Sequence, residues 1–334
     1  MMVTVATLVA CGSSGSAATT TALVTTTSTA ATTTTSTTST TTTLPETTTT
    51  TEPAPVNLTP VVSKPPDLDG SWQAIATLAG QPVIWATHFR PMKDRPDKIA
   101  AFAVIEQRKL RAALFNGPTM PGRGNWKNGN KVTPAALPSL VVAFNGGFER
   151  QHMFNGGYKT EGVTVAPLQK GDATIAIKAD GAIQVGEYGV DFTDDGTWLS
   201  FRQNLPPIVV KGKTNTHTHY EGLWGGNYGG SLVTNRSAIC TRTDGRLMYG
   251  YVPAVSVIDL ARVLVGVGCQ FAMELDINGT WPQFCTYAGF GTATRSGVPI
   301  DARMTNPNRY LTRSTKDFIA FFDPTTLTPG VLAG

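Results

Sequence analysis

Residues 271–281 read FAMELDINGTW, an apolar stretch that carries two acids close to its end. Side chains of an extended chain point alternately to opposite faces. Phe271, Met273 and Leu275 therefore share one face, and Ala272, Glu274 and Asp276 share the other. A pair of carboxylates is the chemistry of glycosidic cleavage, one serving as acid and the other as nucleophile or base. In a strand their Cα atoms lie roughly 6.5–7 Å apart, which suits either a retaining or an inverting arrangement. The competing expectation is structural: one of the two accepts hydrogen bonds from the turn that begins at Asn278-Gly279.

Two arginines, Arg202 in FRQNLPP and Arg236 in TNRSAI, lie beside strand-like apolar residues. A partly buried guanidinium needs an anion, and its planar fork suits carboxylate or phosphate. It can hold a phosphate or form a salt bridge to Glu274 or Asp276 that only maintains the fold. Asn145, Gly146 and Gly147 follow the apolar run LVVAF, and glycines there leave backbone N–H groups open to an anion. His217, His219 and Glu221 share parity in THTHYEG, so a strand there offers three metal ligands on one face. They sit in a long polar stretch where such histidines are common, and no metal or other cofactor is predicted. No G-x-S-x-G elbow, P-loop or dinucleotide fingerprint is present.

Elements must bring these groups together. LVVAF (140–144), PPIVV (206–210) and RLMYGYV (246–252) are predicted strands, and ATIAIKADGAIQVG is a hairpin turning at Ala179-Asp180-Gly181. Residues 98–115 read as a helix by propensity or as two strands by alternation, with Glu106-Gln107-Arg108 as the hairpin turn. One helix is clear. Ser256 caps it, Asp259 follows three residues on, and Val257, Leu260, Ala261, Leu264 and Val265 form its apolar stripe until Gly266 and Gly268. With RLMYGYV before it and FAMELD after it, this is a β-α-β unit with parallel strands. Ligands bind outside the carboxyl ends of such strands, where Asp276 and Asn278 fall. The fold class expected is α+β (mixed α/β). It is a single strand-rich domain with one large twisted mixed sheet and few helices.

The 334 residues divide by composition. Residues 1–17 resemble a lipoprotein-type signal with Cys11 as the acylated residue, although the segment before Cys11 has no Lys or Arg. Residues 18–66 are a Thr/Ser/Pro-rich stalk with too little apolar surface to offset the entropy of ordering. Residues 67–334 form the domain. The net charge of +4 includes no Lys/Arg block, so nucleic acid is not an expected partner. No segment is long and apolar enough to span a bilayer, and the expected membrane contact is a lipid at Cys11. The expected location is extracytoplasmic. There two of Cys240, Cys269 and Cys285 can pair, and Cys269 with Cys285 is preferred because they flank the carboxylate strand.

The ordered motifs FNGGF (144–148), GGYKTEG (156–162), KADGAIQVG, RQNLPPIVV (202–210), NRSAI (235–239) and MELDIN (273–278) resemble the phosphodiester glycosidase family, in a bacterial branch. This is the domain type of the enzyme that uncovers mannose 6-phosphate by removing N-acetylglucosamine from a phosphodiester. The resemblance covers about residues 85–325 and favours the hairpin reading of 98–115. It implies that the site falls on Asn145, Gly146, Gly147, Arg236 and Asp276, with Glu274, Arg202, Asn204 and Asn278 as neighbours. Better-known members carry Asp-Gly-Gly-Gly-Ser where this chain has Asp276-Ile277-Asn278-Gly279-Thr280, which alters one pocket wall. The implied activity is hydrolysis of a sugar from a phosphodiester or a related bond in an envelope polysaccharide. Asp276, Glu274 and Arg236 would be catalytic, and the partner a carbohydrate or sugar-phosphate polymer. The rival expectation is a non-catalytic glycan-binding module that stacks sugars on Trp224 and Trp281.

Overall fold

Short apolar runs separated by glycine turns direct this chain into strands rather than helices. A computed structural model describes residues 53–152, 156–224, 232–277 and 279–334. Among them are eighteen strands in three sheets and two short α-helices, the strand-rich architecture with few helices that the sequence implies. The largest sheet runs, edge to edge, Gln73–Leu78, Gln81–Phe89, Ala100–Ile105, Leu247–Val255, Thr234–Arg242, Cys269–Glu274, Val209–Val210 and Lys213–Thr214. A second sheet centres on Trp198–Gln203, between Tyr158–Thr160 and Ala173–Lys178. The third centres on Leu140–Asn145, between Phe284–Ala288 and Phe318–Phe322.

The middle strands are buried on both faces. Every residue of Ala100–Ile105 and of Phe318–Phe322 is buried, so their sequences run apolar without alternation. Each fully buried Val, Leu, Ile or Phe side chain stabilises the fold by roughly 1.5–3 kcal/mol.

The helix Val257–Gly266 forms as its sequence requires. Ser256 Oγ accepts from the Asp259 N–H at 3.2 Å, and the chain leaves through Gly268 at φ +93°. Leu247–Val255 and Cys269–Glu274, which it connects, run parallel to each other. Thr234–Arg242 lies between them and is antiparallel to both. Among the described residues every strand ladder is antiparallel, so the single mixed sheet expected is replaced by three antiparallel ones.

Two further expectations are corrected. Residues 98–115 are indeed strands, but they make no hairpin. Ala100–Ile105 pairs inside the large sheet, whereas Arg111–Phe115 pairs with Phe318–Phe322 in the third. The supposed turn holds a wholly buried Glu106, gripped by Arg108 at 2.6 and 2.7 Å, and carries the chain from one sheet to the next. The disulfide is Cys240–Cys269 and not Cys269–Cys285. Cys240 and Cys269 lie on adjacent paired strands, while Cys285 lies in the third sheet as a buried free thiol, pushed up to about 12 by burial.

Residues 53–58 are part of this packing. The Trp72 indole N–H donates to Val56 O at 3.0 Å, and the Leu58 N–H donates to Gly70 O at 2.9 Å. No helix among the described residues is long and apolar enough to cross a membrane.

Candidate functional site

Strand ends from all three sheets converge on one region. Thr234–Arg242 and Cys269–Glu274 bring Arg236 and Glu274, the second sheet brings Arg202 and Asn204, and the third brings Asn145 and, just before Phe318, Asp317.

Arg236 and Glu274 form a closed pair. Nη1 donates to Glu274 Oε1 at 2.6 Å, with both side chains essentially buried. The remaining guanidinium bonds go to the carbonyls of Val255, Trp224 and Leu232 at 2.9–3.0 Å. Burial raises the Glu274 carboxyl to about 7, with Arg236 opposing the rise. Glu274 therefore orders the strand end.

Arg202 makes a second closed pair, forked onto Asp317 at 2.7 and 3.2 Å. It also donates to the carbonyls of Gln203 and Phe148. Burial raises Asp317, and the Arg202 charge works against that. The pairing of Arg202 with Asp317 is not legible in the sequence, because the acid lies 115 residues away.

Between these pairs sits the Asn145-Gly146-Gly147 turn. Asn145 Oδ1 accepts from the Tyr249 hydroxyl and the Gln283 N–H, each at 2.9 Å. Its amide donates to Ser237 Oγ at 3.1 Å and to Gly146 O at 2.9 Å. The Asn145 and Gly146 N–H groups donate to Gln283 O and Asp317 O, so these two amides serve the protein rather than an anion. Gly146 is required by close approach: a Cβ there would stand 2.2 Å from Asp317 Oδ2. A Cβ at Gly147 would press on Asn204 at 3.0 Å. Asn204 donates to Glu274 O at 2.6 Å and accepts from the Phe148 N–H at 3.1 Å, tying turn to strand end.

Asp276 stands one step beyond this framework. Its N–H donates to Gly146 O at 3.1 Å, and its carbonyl accepts from Ser237 Oγ at 2.7 Å. Oδ1 accepts from the Ile277 N–H at 2.9 Å, and Oδ2 accepts from Lys316 Nζ at 2.6 Å. Lys316 Nζ also lies 3.2 Å from Glu149 Oε1. Side-chain exposure rises along this row, from 7% at Asp276 to 11% at Lys316 and 22% at Glu149. Lys316 lies over the half-buried Trp281 ring at 4.5 Å, and the Arg309 guanidinium lies 4.6 Å from that ring.

The structure thus brings together Asn145, Gly146, Gly147, Arg202, Asn204, Arg236, Glu274 and Asp276. Asn278 lies outside the described residues. Sequence reasoning missed Glu149, Lys316, Asp317, Ser237 and Tyr249. Glu149 directly follows FNGGF, and its charge after an apolar motif was the available signal. Lys316 and Asp317 were visible only as two charges opening the FIAFF strand.

His217 and His219 lie in a 3-10 turn at Thr216–His219, where the shared parity of a strand does not hold. Among the described residues no group of three or more His, Cys, Asp or Glu could hold a metal. Trp224 is fully buried, with its indole N–H donating to His217 O at 3.0 Å, and it cannot stack on a sugar.

Residues 138–276 match the family model described as phosphodiester glycosidase. The stretch opens just before Leu140–Asn145 and closes on Asp276, so it carries the pattern that the ordered motifs resemble. Glu149 is inside it, and Lys316 and Asp317 lie beyond it. Among solved structures, the chain is similar to the catalytic domain of zebrafish N-acetylglucosamine-1-phosphodiester alpha-N-acetylglucosaminidase, auto-inhibited by its pro-peptide. The two share 14% identity over 75% of this chain and 87% of that one, with a TM-score of 0.45. It is also similar to a hypothetical protein from Synechocystis, at 12% identity over 75% of this chain and 65% of that one, with a TM-score of 0.43. No curated protein matches the chain.

Proposed function

We propose that this protein is an extracytoplasmic hydrolase that removes a sugar from a phosphodiester, or cleaves a related glycosidic bond in an envelope polysaccharide. On this reading Cys11 and the Thr-rich segment tether it to the cell surface. The observation that carries the reading is the placing of Asp276. It lies two residues past the Cys269–Glu274 strand, inside the family-matched stretch, held in orientation by backbone bonds and by Lys316, beside a second carboxylate.

Asp276 acts on the sugar carbon. Glu274 and Arg236 hold the strand end behind it, and Arg202 with Asp317 holds the Asn145-Gly-Gly turn. The two arginines spend their donors on protein acceptors, so the cation beside Asp276 that meets a phosphate is Lys316, which lies over the Trp281 ring. A phosphate monoester is a good leaving group and needs little protonation.

The test is release of free sugar from a sugar-1-phosphodiester by the purified protein. Asp276→Asn is expected to lower the rate by about 10²–10⁴-fold while leaving the thermal midpoint within a few degrees. Full activity in Asp276→Asn would sink the assignment. A sugar polymer retained on the protein without release would favour a binding module instead.

A further inference from the structure

We infer that Glu149, rather than Glu274, is the second catalytic carboxylate, and that the reaction proceeds by double displacement with retention at the sugar carbon. This rests on the hydrolase reading above. Glu274 is unsuited to the role, because its side chain is wholly buried and its Oε1 is spent on Arg236. Glu149 has the access that Glu274 lacks. Its Oε1 reaches Lys316 Nζ and its Oε2 accepts from the Gln151 amide at 3.1 Å, so it is oriented while still partly open to solvent.

The distances fix the stereochemical expectation. Lys316 Nζ is 2.6 Å from Asp276 Oδ2 and 3.2 Å from Glu149 Oε1, so the two facing carboxylate oxygens stand no more than about 6 Å apart. Retaining enzymes hold their carboxyls roughly 5–5.5 Å apart, whereas inverting ones need roughly 6.5–9.5 Å to admit a water between acid and base. The row fits the former. Lys316 is then a positioning residue that fixes the separation and gives both acids a counter-ion.

The steps balance as follows. Asp276 attacks the sugar C1, and the C1–O bond to phosphorus breaks with its electron pair leaving on the phosphate oxygen. Glu149 then takes a proton from a water whose oxygen attacks C1. The bond from C1 to Asp276 breaks and restores the carboxylate, while the proton on Glu149 passes to the departing phosphate or to solvent. Because phosphate leaves readily, Glu149 matters mainly in the second step.

The experiment follows single reactions by proton NMR with a sugar-1-phosphodiester. The first anomer released should match the substrate, and the opposite anomer overturns the inference. Glu149→Ala should lower kcat by about 10²–10⁴-fold but kcat/KM much less, since kcat/KM reports the first step. Added azide should restore turnover and yield a glycosyl azide of retained configuration. Glu149→Gln, which preserves shape, controls for folding and should be equally slow. Wild-type kcat in both variants, or no rescue of Glu149→Ala, removes Glu149 from the mechanism while leaving the hydrolase reading intact. A wild-type protein that releases no sugar fails both.

Discussion

Glu274 and Arg236 show how one acid of a conspicuous pair becomes scaffolding. Burial raises the Glu274 carboxyl from 4.5 to about 7, with Arg236 in opposition. A folded value above the unfolded one gives stability that is complete below about pH 4.5 and is lost as pH rises through about 7. Asp172, raised to about 7 by burial alone, acts with the same sign. Glu274→Gln, which mimics the protonated acid, removes one of these two titrations. Urea midpoints are compared near pH 5, where Glu274 is protonated, and near pH 8, where it is ionised. The drop between the two pH values should be smaller than in wild type, with Asp172 supplying what remains. An undiminished drop would show that Glu274 does not titrate in this range.

At the level of elements, the Cys240–Cys269 bond ties the strand that carries Arg236 to the strand that ends at Glu274 and leads to Asp276. It closes a sequence separation of 29, so Cys240→Ala with Cys269→Ala should lower stability by about 2–4 kcal/mol. Reductant should lower the wild type by a similar amount and leave the double variant unmoved, as chemical denaturation with and without dithiothreitol will show. This pairing was not legible in sequence, because it depends on which strands are neighbours. The local elements were legible: the Ser256-capped helix, the Ala173–Lys178 and Ile183–Glu187 hairpin, and the strand leading to Asn145 all follow from turn and cap chemistry. Pairing between distant segments was not. The 98–115 stretch showed its alternation but could not show that its two strands belong to different sheets. Asp276 was readable from its place at a strand end. Lys316 and Asp317, far along the chain, became site residues only when the third sheet set Phe318 beside Asn145.

At the scale of the whole molecule, the domain has more N-terminal reach than composition implied. Residues 53–58 cover Trp72, donate to and accept from the 69–72 segment, and supply Pro53 O to Arg246 Nη1 at 3.0 Å. A chain begun at Asp67 loses these four bonds and uncovers the Trp72 indole. It is expected to be less stable than one begun at Pro53 by about 2–5 kcal/mol, read as a lower denaturation midpoint. Equal midpoints would mean that 53–66 contribute nothing to folding.

The ring of Trp281 lies within 5 Å of two positive charges, Lys316 and Arg309, and one of these holds Asp276. Indole emission responds to the electric field along the ring. Of the other five tryptophans, Trp72, Trp85, Trp198 and Trp224 are buried and Trp126 is half-buried. An anion that draws Lys316 toward itself would therefore change the colour of the protein's own fluorescence. The arrangement that orients the carboxylate also acts as an unlabelled optical gauge of occupancy.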